Sequence, residues 1–272
     1  MALVEQGLFD TTDKVAIAVA RFRQFEKQAL ALHPEGYYLA FSGGKDSQCI
    51  YHLAELAGVL FGAYMHLTTV DAPELLRFVR DNYPKVKREK PKDSMWRMIV
   101  KERMPPTRLA RYCCEALKEG GGSGRLVVTG IRNAESNARA SRRMMEVCKR
   151  DSTKIFLNPI IDWTEGDVWE FLNSRQIPHC SLYDEGFKRL GCIGCPMGSR
   201  SGRLKQFERW PKFEELYKRA MQACLDKRRK DGLPTPYADL DEYWDWWMEK
   251  NQTRPEIEGQ QCMMFDQLGD EA

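Results

Sequence analysis

The chain has 272 residues, 43% hydrophobic and 30% charged, which supplies a large buried core and excludes a disordered or fibrous chain. Its 42 basic and 39 acidic residues leave a formal charge of +3, so only local clusters, not overall charge, could argue for a nucleic-acid partner. No apolar run approaches the roughly 20 residues that span a bilayer, and the start, MALVEQGLFDTTDK, lacks a basic segment followed by an apolar one, so a cytoplasmic protein without a membrane partner is expected.

Between residues 12 and 32, apolar side chains recur at helical spacing (Val15, Ala18, Val19, Phe22, Phe25) and stop at HPEG, where proline and glycine end a helix. YYLAF at 37–41 predicts a strand, and after a glycine pair Ile50, Leu53, Leu56 and Leu60 return at helical intervals. GAYMHL at 62–67 predicts the next strand and 73–84 the helix after it, with Pro73 at its start. GGGSG at 120–124 reads as a flexible turn before a strand at 126–132, and KIFLNPI at 154–160 as a further strand. Strands alternating with helices predict an α/β fold, a mostly parallel twisted sheet with helices on both faces. Beyond Cys195 the pattern is helical to about residue 250, with PTP as a break. The organisation expected is a nucleotide-binding α/β domain over 1–200, a helical C-terminal extension over 201–250 and a polar tail over 251–272.

Residues 41–47 read FSGGKDS, placed between a predicted strand and a predicted helix. Ligands in parallel sheets sit beyond the carboxyl ends of the strands, which is where this stretch falls. Two glycines permit positive φ and let backbone N–H groups approach an anion, and the following helix adds its positive end. Ser42 and Ser47 add hydroxyls, Lys45 a charge, and Asp46 a carboxylate suited to Mg²⁺ or to helix capping. A tight turn capped by Asp46 or Ser47 is the plainer reading of the same residues. SGGKDS also resembles the SGGxDS signature of the ATP pyrophosphatases, which implies that Ser42, Gly43, Gly44, Asp46 and Ser47 bind the phosphates of ATP.

Nine cysteines, an odd number unevenly placed, suit metal or redox chemistry better than a disulfide framework. Cys113 and Cys114 are adjacent in RYCCEALK, and Cys192 and Cys195 form CIGC. Four thiolates are enough for a tetrahedral zinc site or a [4Fe–4S] cluster; packing for the first pair and a zinc knuckle or redox pair for the second is the alternative. Cys49, Cys148, Cys180 and Cys224 read as packing or surface residues, whereas Cys262, in the polar tail, is a candidate mobile nucleophile.

Adjacent cysteines followed after a long gap by Cys-x-x-Cys resemble the cluster-binding pattern of assimilatory adenylylsulfate reductases. TGIRNAES at 129–136 and LYDEGFKRLGCIGCP at 182–196 resemble further segments of the same group. Over roughly 37–196 the chain is thereby similar to the phosphoadenosine phosphosulfate reductase family. The resemblance implies a HUP-type, adenine nucleotide alpha-hydrolase-like fold, a [4Fe–4S] cluster on Cys113, Cys114, Cys192 and Cys195, and a nucleotide site that includes Gly130 and Arg132.

Within that family the intact SGGKDS loop, and the absence of the reductases' C-terminal Glu-Cys-Gly-(Ile/Leu)-His, point to an ATP pyrophosphatase resembling the enzyme of DNA phosphorothioate modification. Transfer RNA thiolation is a close variant. ATP with Mg²⁺, a cysteine desulfurase as sulfur donor and a nucleic-acid acceptor are the partners implied, with Lys45, Asp46 and Arg132 as catalytic residues. Thioredoxin-dependent reduction of a sulfonucleotide is the alternative, and a non-catalytic nucleotide- or nucleic-acid-binding module a second. Asp71, in TTVDAPEL at 68–75, stands near the place of the family's Asp-Thr segment. Arg139, Arg142, Arg143, Lys149 and Arg150 form a basic stretch that reads either as an anion-binding surface or as a solvated helix face. Tyr243, Trp244, Trp246 and Trp247 read as core packing before base stacking.

Overall fold

The computed structural model describes residues 3–6, 11–235 and 237–249. Its strands are β1 (Val4–Gln6), β2 (Thr11–Asp13), β3 (Tyr37–Ala40), β4 (Phe61–His66), β5 (Lys87–Glu89), β6 (Leu126–Val128), β7 (Met145–Val147) and β8 (Ile155–Leu157). The helices are α1 (Lys14–Leu32), α2 (Lys45–Ala57), α3 (Pro73–Asn82), α4 (Met95–Glu102), α5 (Tyr112–Leu117), α6 (Asn137–Ala140), α7 (Glu165–Ser174), α8 (Arg200–Arg209), α9 (Pro211–Lys230) and α10 (Leu240–Met248). They fall into two units, one built from Met1–Lys92 and Cys113–Ile193, the other from Asp93–Tyr112 and Gly194–Ala272. The second unit thus takes in 93–112, a stretch in which the sequence pattern marks no boundary.

In the first unit six strands pair in the order β5-β4-β3-β6-β8-β7, parallel throughout except for the edge strand β7. This is the mostly parallel α/β sheet expected from the alternating pattern. Tyr37, Tyr38 and Leu39 of β3 and all three residues of β6 are buried. Successive strand residues point to opposite faces, so both faces of the sheet are covered at its centre. The edge strand β5, Lys-Arg-Glu, is exposed throughout and has no apolar alternation to announce it. A separate antiparallel pair, β1 with β2, precedes α1, and Asp13 caps that helix by accepting from the N–H groups of Val15 and Ala16.

The second unit is helical and its core is aromatic. Trp96 of α4 meets Tyr217 of α9 edge-on at 4.9 Å, and Tyr217 lies 4.8 Å from Trp247 of α10. Trp247 is fully buried, and its indole N–H donates to the Pro106 carbonyl at 2.8 Å. Tyr243 and Trp244 are also buried. The aromatic group at 243–247 is therefore packing, as its helical spacing predicts. Among the described residues no helix is long and apolar enough to cross a membrane. The tail at 251–272, with Cys262, lies outside the described residues.

Leu39 sits fully buried at the centre of the sheet, whereas Leu109 is 93% exposed. Leu39→Ala is expected to cost about 2–5 kcal/mol in urea unfolding, and Leu109→Ala to stay within about 0.5 kcal/mol.

Candidate functional site

β3 ends at Ala40, and the chain turns through Phe41, Ser42, Gly43 and Gly44 into α2, so FSGGKDS lies at the carboxyl end of a central strand. The glycine pair permits positive φ at two positions and the turn uses it at one. Gly43 has φ +76°, and a Cβ there would fall 2.6 Å from Val79 Cγ2 and 2.8 Å from Leu75 Cδ1 of α3. Gly44 is extended, with φ −78° and ψ 160°, and is the N-cap.

The N-terminus of α2 is closed by a residue that local sequence does not suggest. The Lys45 N–H donates to the Tyr183 hydroxyl at 2.9 Å. Tyr183 comes from the LYDEG segment and packs edge-on against Trp169 at 5.0 Å; burial raises its phenol above the ordinary value and keeps it protonated. Ser47 Oγ donates to the Gly44 carbonyl at 2.8 Å, and Ser42 Oγ to Ser47 Oγ at 3.2 Å. Asp46 is not a cap but an ion-pair partner.

That partner is Arg132, from the loop after β6. Its Nε donates to Asp46 Oδ1 at 2.6 Å, with the guanidinium almost fully buried. The approach depends on Gly130: a Cβ there would stand 2.9 Å from both the carbonyl carbon and oxygen of Asp46. Glu135 steadies the same loop by accepting the Arg132 N–H at 3.1 Å. Lys45 Nζ, equally buried, lies 3.4 Å from Glu165 Oε1 at the start of α7 and 3.7 Å from Asp46 Oδ2. Ser42, Lys45, Asp46, Ser47, Gly130 and Arg132, far apart in sequence, meet at one edge of the sheet.

Beside them a cleft of about 170 Å³ opens at the carboxyl ends of β3 and β4. Ser42, Tyr64, His66, Asp71 and Lys118 line it, with Leu190 and Gly191 from the loop before Cys192. Asp71 closes its own turn, accepting from the Thr68 N–H and hydroxyl, each at 2.7 Å. Tyr64, His66 and Lys118 carry no motif in the sequence; the parallel register that aligns β4 with β3 brings the first two to the cleft.

Cys113 and Cys114 lie on α5 in the first unit, with Cys192, whose thiol donates to Thr68 Oγ1 at 3.5 Å; Cys195 belongs to the second unit. Among the described residues no three His, Cys, Asp or Glu side chains are grouped to hold a metal ion. The four thiols thus have the donor chemistry of a [4Fe–4S] cluster without an assembled metal group, and no chemical step is routed through one. Cys49, Cys180 and Cys224 are buried, and burial pushes each thiol up, as befits packing residues. The basic stretch is partly neutralised in place: Arg139 pairs with Glu135, Arg142 with Glu146, and Arg150 with Glu119 at 2.9 Å.

Residues 36–197 match the phosphoadenosine phosphosulfate reductase domain model. The chain is 28% identical over 233 residues to an uncharacterized protein of Methanocaldococcus jannaschii, covering 79% of this chain and 47% of that protein. It is 26% identical over 151 residues to an adenosine 5'-phosphosulfate reductase of Staphylococcus haemolyticus, covering 50% of this chain and 61% of that one. The chain therefore spans about half to three fifths of the length of these relatives. Among solved structures, a phosphoadenylyl-sulfate reductase from Candida auris in a phosphate complex aligns at 20% identity with a TM-score of 0.46, covering 62% of this chain and 87% of that one. An FMN adenylyltransferase from Candida glabrata, in complex with FAD and inorganic pyrophosphate, aligns at 14% identity with a TM-score of 0.49, covering 66% and 62%.

Gly130→Ala tests the geometry directly, because the added methyl meets backbone rather than a movable side chain. A loss of about 1–3 kcal/mol in thermal unfolding is expected, and an unchanged midpoint would mean that the two loops need not approach.

Proposed function

Because the chain belongs to the phosphoadenosine phosphosulfate reductase domain family, and the matched residues 36–197 hold every part of the loop site, we propose that it binds an adenine nucleotide and uses ATP to adenylylate an acceptor for sulfur transfer. The observation that carries this reading is the convergence of Lys45, Asp46 and Arg132 at an intact SGGKDS turn. An enzyme that expels pyrophosphate must hold a polyphosphate in line and balance its charge, and fixed cations at a helix start supply both.

In the reaction an acceptor oxygen attacks the α-phosphorus of ATP and a new P–O bond forms. The bond to the α–β bridging oxygen breaks, and pyrophosphate leaves with that electron pair. Lys45 and Arg132 are the cations for the departing charge; the Gly43 turn lets the backbone approach it. Asp46 is the carboxylate that would hold Mg²⁺, which neutralises phosphate charge when bound. Mg²⁺ commonly takes one or two carboxylates and completes its shell with substrate phosphates and water, which suits a single loop aspartate.

The terminal sulfur of a persulfide then attacks the activated phosphorus, and a P–S bond forms as AMP leaves with the electrons of the bond that breaks. A second thiol cleaves the remaining S–S bond, releasing the thiophosphate and a disulfide. A DNA backbone phosphate is the acceptor in this reading, as in phosphorothioate modification, with transfer RNA as the variant and a cysteine desulfurase as sulfur source; the motif resemblance supports it. Cys113, Cys114, Cys192 and Cys195 are the thiolates for a [4Fe–4S] cluster, which would supply an electron-transfer or sulfur-handling centre when bound. The similarity to the Staphylococcus haemolyticus adenosine 5'-phosphosulfate reductase favours a second reading, sulfonucleotide reduction.

The two readings separate in one assay series. With ATP, Mg²⁺ and duplex DNA the protein should release pyrophosphate, and Asp46→Ala should slow release by about 100-fold or more. Reduction of adenylylsulfate with thioredoxin, lost in Cys262→Ala, would establish the second reading in its place.

A further inference from the structure

The helix start that follows the glycine turn is capped from outside the loop. Gly44, the N-cap, has no side chain to offer. Serine and aspartate ordinarily accept the free N–H groups of a helix start, but here both have other partners: Ser47 Oγ donates to the Gly44 carbonyl at 2.8 Å, and Asp46 Oδ1 accepts from Arg132 at 2.6 Å. The group that meets the Lys45 N–H is the Tyr183 hydroxyl, at 2.9 Å, from a segment 138 residues away. A Cβ on Gly44 would stand 3.4 Å from that oxygen, so the phenol lies against the glycine turn itself. The first N–H groups of a helix after such a turn are where an anion binds. A tyrosine oxygen therefore stands at the edge of the anion's seat.

A phenol donates as well as accepts. The Tyr183 oxygen accepts from the Lys45 N–H, and among the described residues its own proton has no acceptor. Burial raises the phenol above its ordinary value, so that proton stays on the oxygen. The side chain is half-buried rather than sealed, which leaves the hydroxyl within reach of a ligand. Its ring is held edge-on by Trp169 at 5.0 Å and by His179 at 6.2 Å, and His179 Nε2 is paired with Asp184 Oδ1 at 2.9 Å. Lys45 Nζ lies 5.8 Å from the ring centroid and donates to the Lys188 carbonyl at 3.4 Å. The segment 183–188 thus holds a fixed O–H beside the lysine ammonium, both at the glycine turn.

We propose that Tyr183 is a further phosphate-binding residue of the loop site, its oxygen keeping the Lys45 N–H while its O–H donates to the β,γ end of a polyphosphate. The inference rests on the nucleotide reading made under the proposed function and deepens it, adding a neutral donor to the two cations at the leaving pyrophosphate. A hydrogen bond to a charged oxygen is roughly twice as strong as one between neutral groups. A donor already fixed in place needs no reorganisation as charge develops. A nucleotide without a β-phosphate gives this hydroxyl nothing to donate to, so Tyr183 favours ATP and pyrophosphate over AMP.

The test uses the full chain with Mg²⁺, as wild type and Tyr183→Phe, titrated calorimetrically with pyrophosphate, ATP and AMP. Phenylalanine keeps the ring against Trp169 and removes only the hydroxyl. Tyr183→Phe should bind pyrophosphate and ATP about tenfold or more weakly and AMP as wild type does. Wild-type affinity for pyrophosphate in Tyr183→Phe would overturn the proposal and leave the nucleotide reading standing. An equal loss for AMP and pyrophosphate would also overturn it, since that is what a cap holding the turn in shape would give. If wild type binds neither pyrophosphate nor ATP, the nucleotide reading falls and this inference with it. If Tyr183→Phe does not fold, Tyr183→3-fluorotyrosine, which keeps ring and hydroxyl, decides by fluorine NMR. A resonance that moves with pyrophosphate and not with AMP supports the proposal, and one that stays in place at saturating pyrophosphate overturns it.

Discussion

The ion pair between Asp46 and Arg132 is the contact on which the site depends. It joins the first turn of α2 to the loop after β6, and these follow two strands that lie side by side in parallel register, Tyr38 opposite Val127 and Leu39 opposite Val128. Without the register the two loops would not emerge together, and without Gly130 the second could not come close enough for a hydrogen bond of 2.6 Å. The pair is also nearly buried on the arginine side, where a lone guanidinium would be costly. Each member therefore fixes the other.

The charges around the pair balance. Lys45 and Arg132 face Asp46 and Glu165, two cations against two carboxylates. Both cations are held in place by these carboxylates; in the nucleotide reading proposed above, that spares reorganisation as phosphate charge develops. The Tyr183 hydroxyl meets the Lys45 N–H at the helix start, so the donor there is satisfied by a half-buried, neutral phenol rather than by a fixed charge. The LYDEG segment thereby acts on the glycine loop from 138 residues away.

Arg203 shows the same logic with the balance unfinished. In the first unit every buried cation of the loop site has a carboxylate beside it; in the second unit Arg203 has an aromatic face and one carbonyl, and among the described residues two of its donors have no partner. Aromatic packing among Phe207, Tyr217 and Trp247 explains why the helices hold together, but not why a guanidinium is buried among them.

Much of this was legible in the chain. Alternating strands and helices determined the parallel α/β class, because the periods 2 and 3.6 are written directly in apolar spacing, and FSGGKDS announced a tight strand-to-helix turn because positive φ and close approach require glycine. The aromatic group at 243–247 likewise declared itself as core by its helical stripe. What only tertiary structure decided are the partners. Arg132 sits 86 residues from Asp46, the charged edge strand β5 has no apolar period to reveal it, and His66 and Tyr64 reach the cleft only through strand register. Side chains carry their chemistry in the sequence, but which charge is neutralised, and by which partner, is set by contacts between segments that no local pattern encodes.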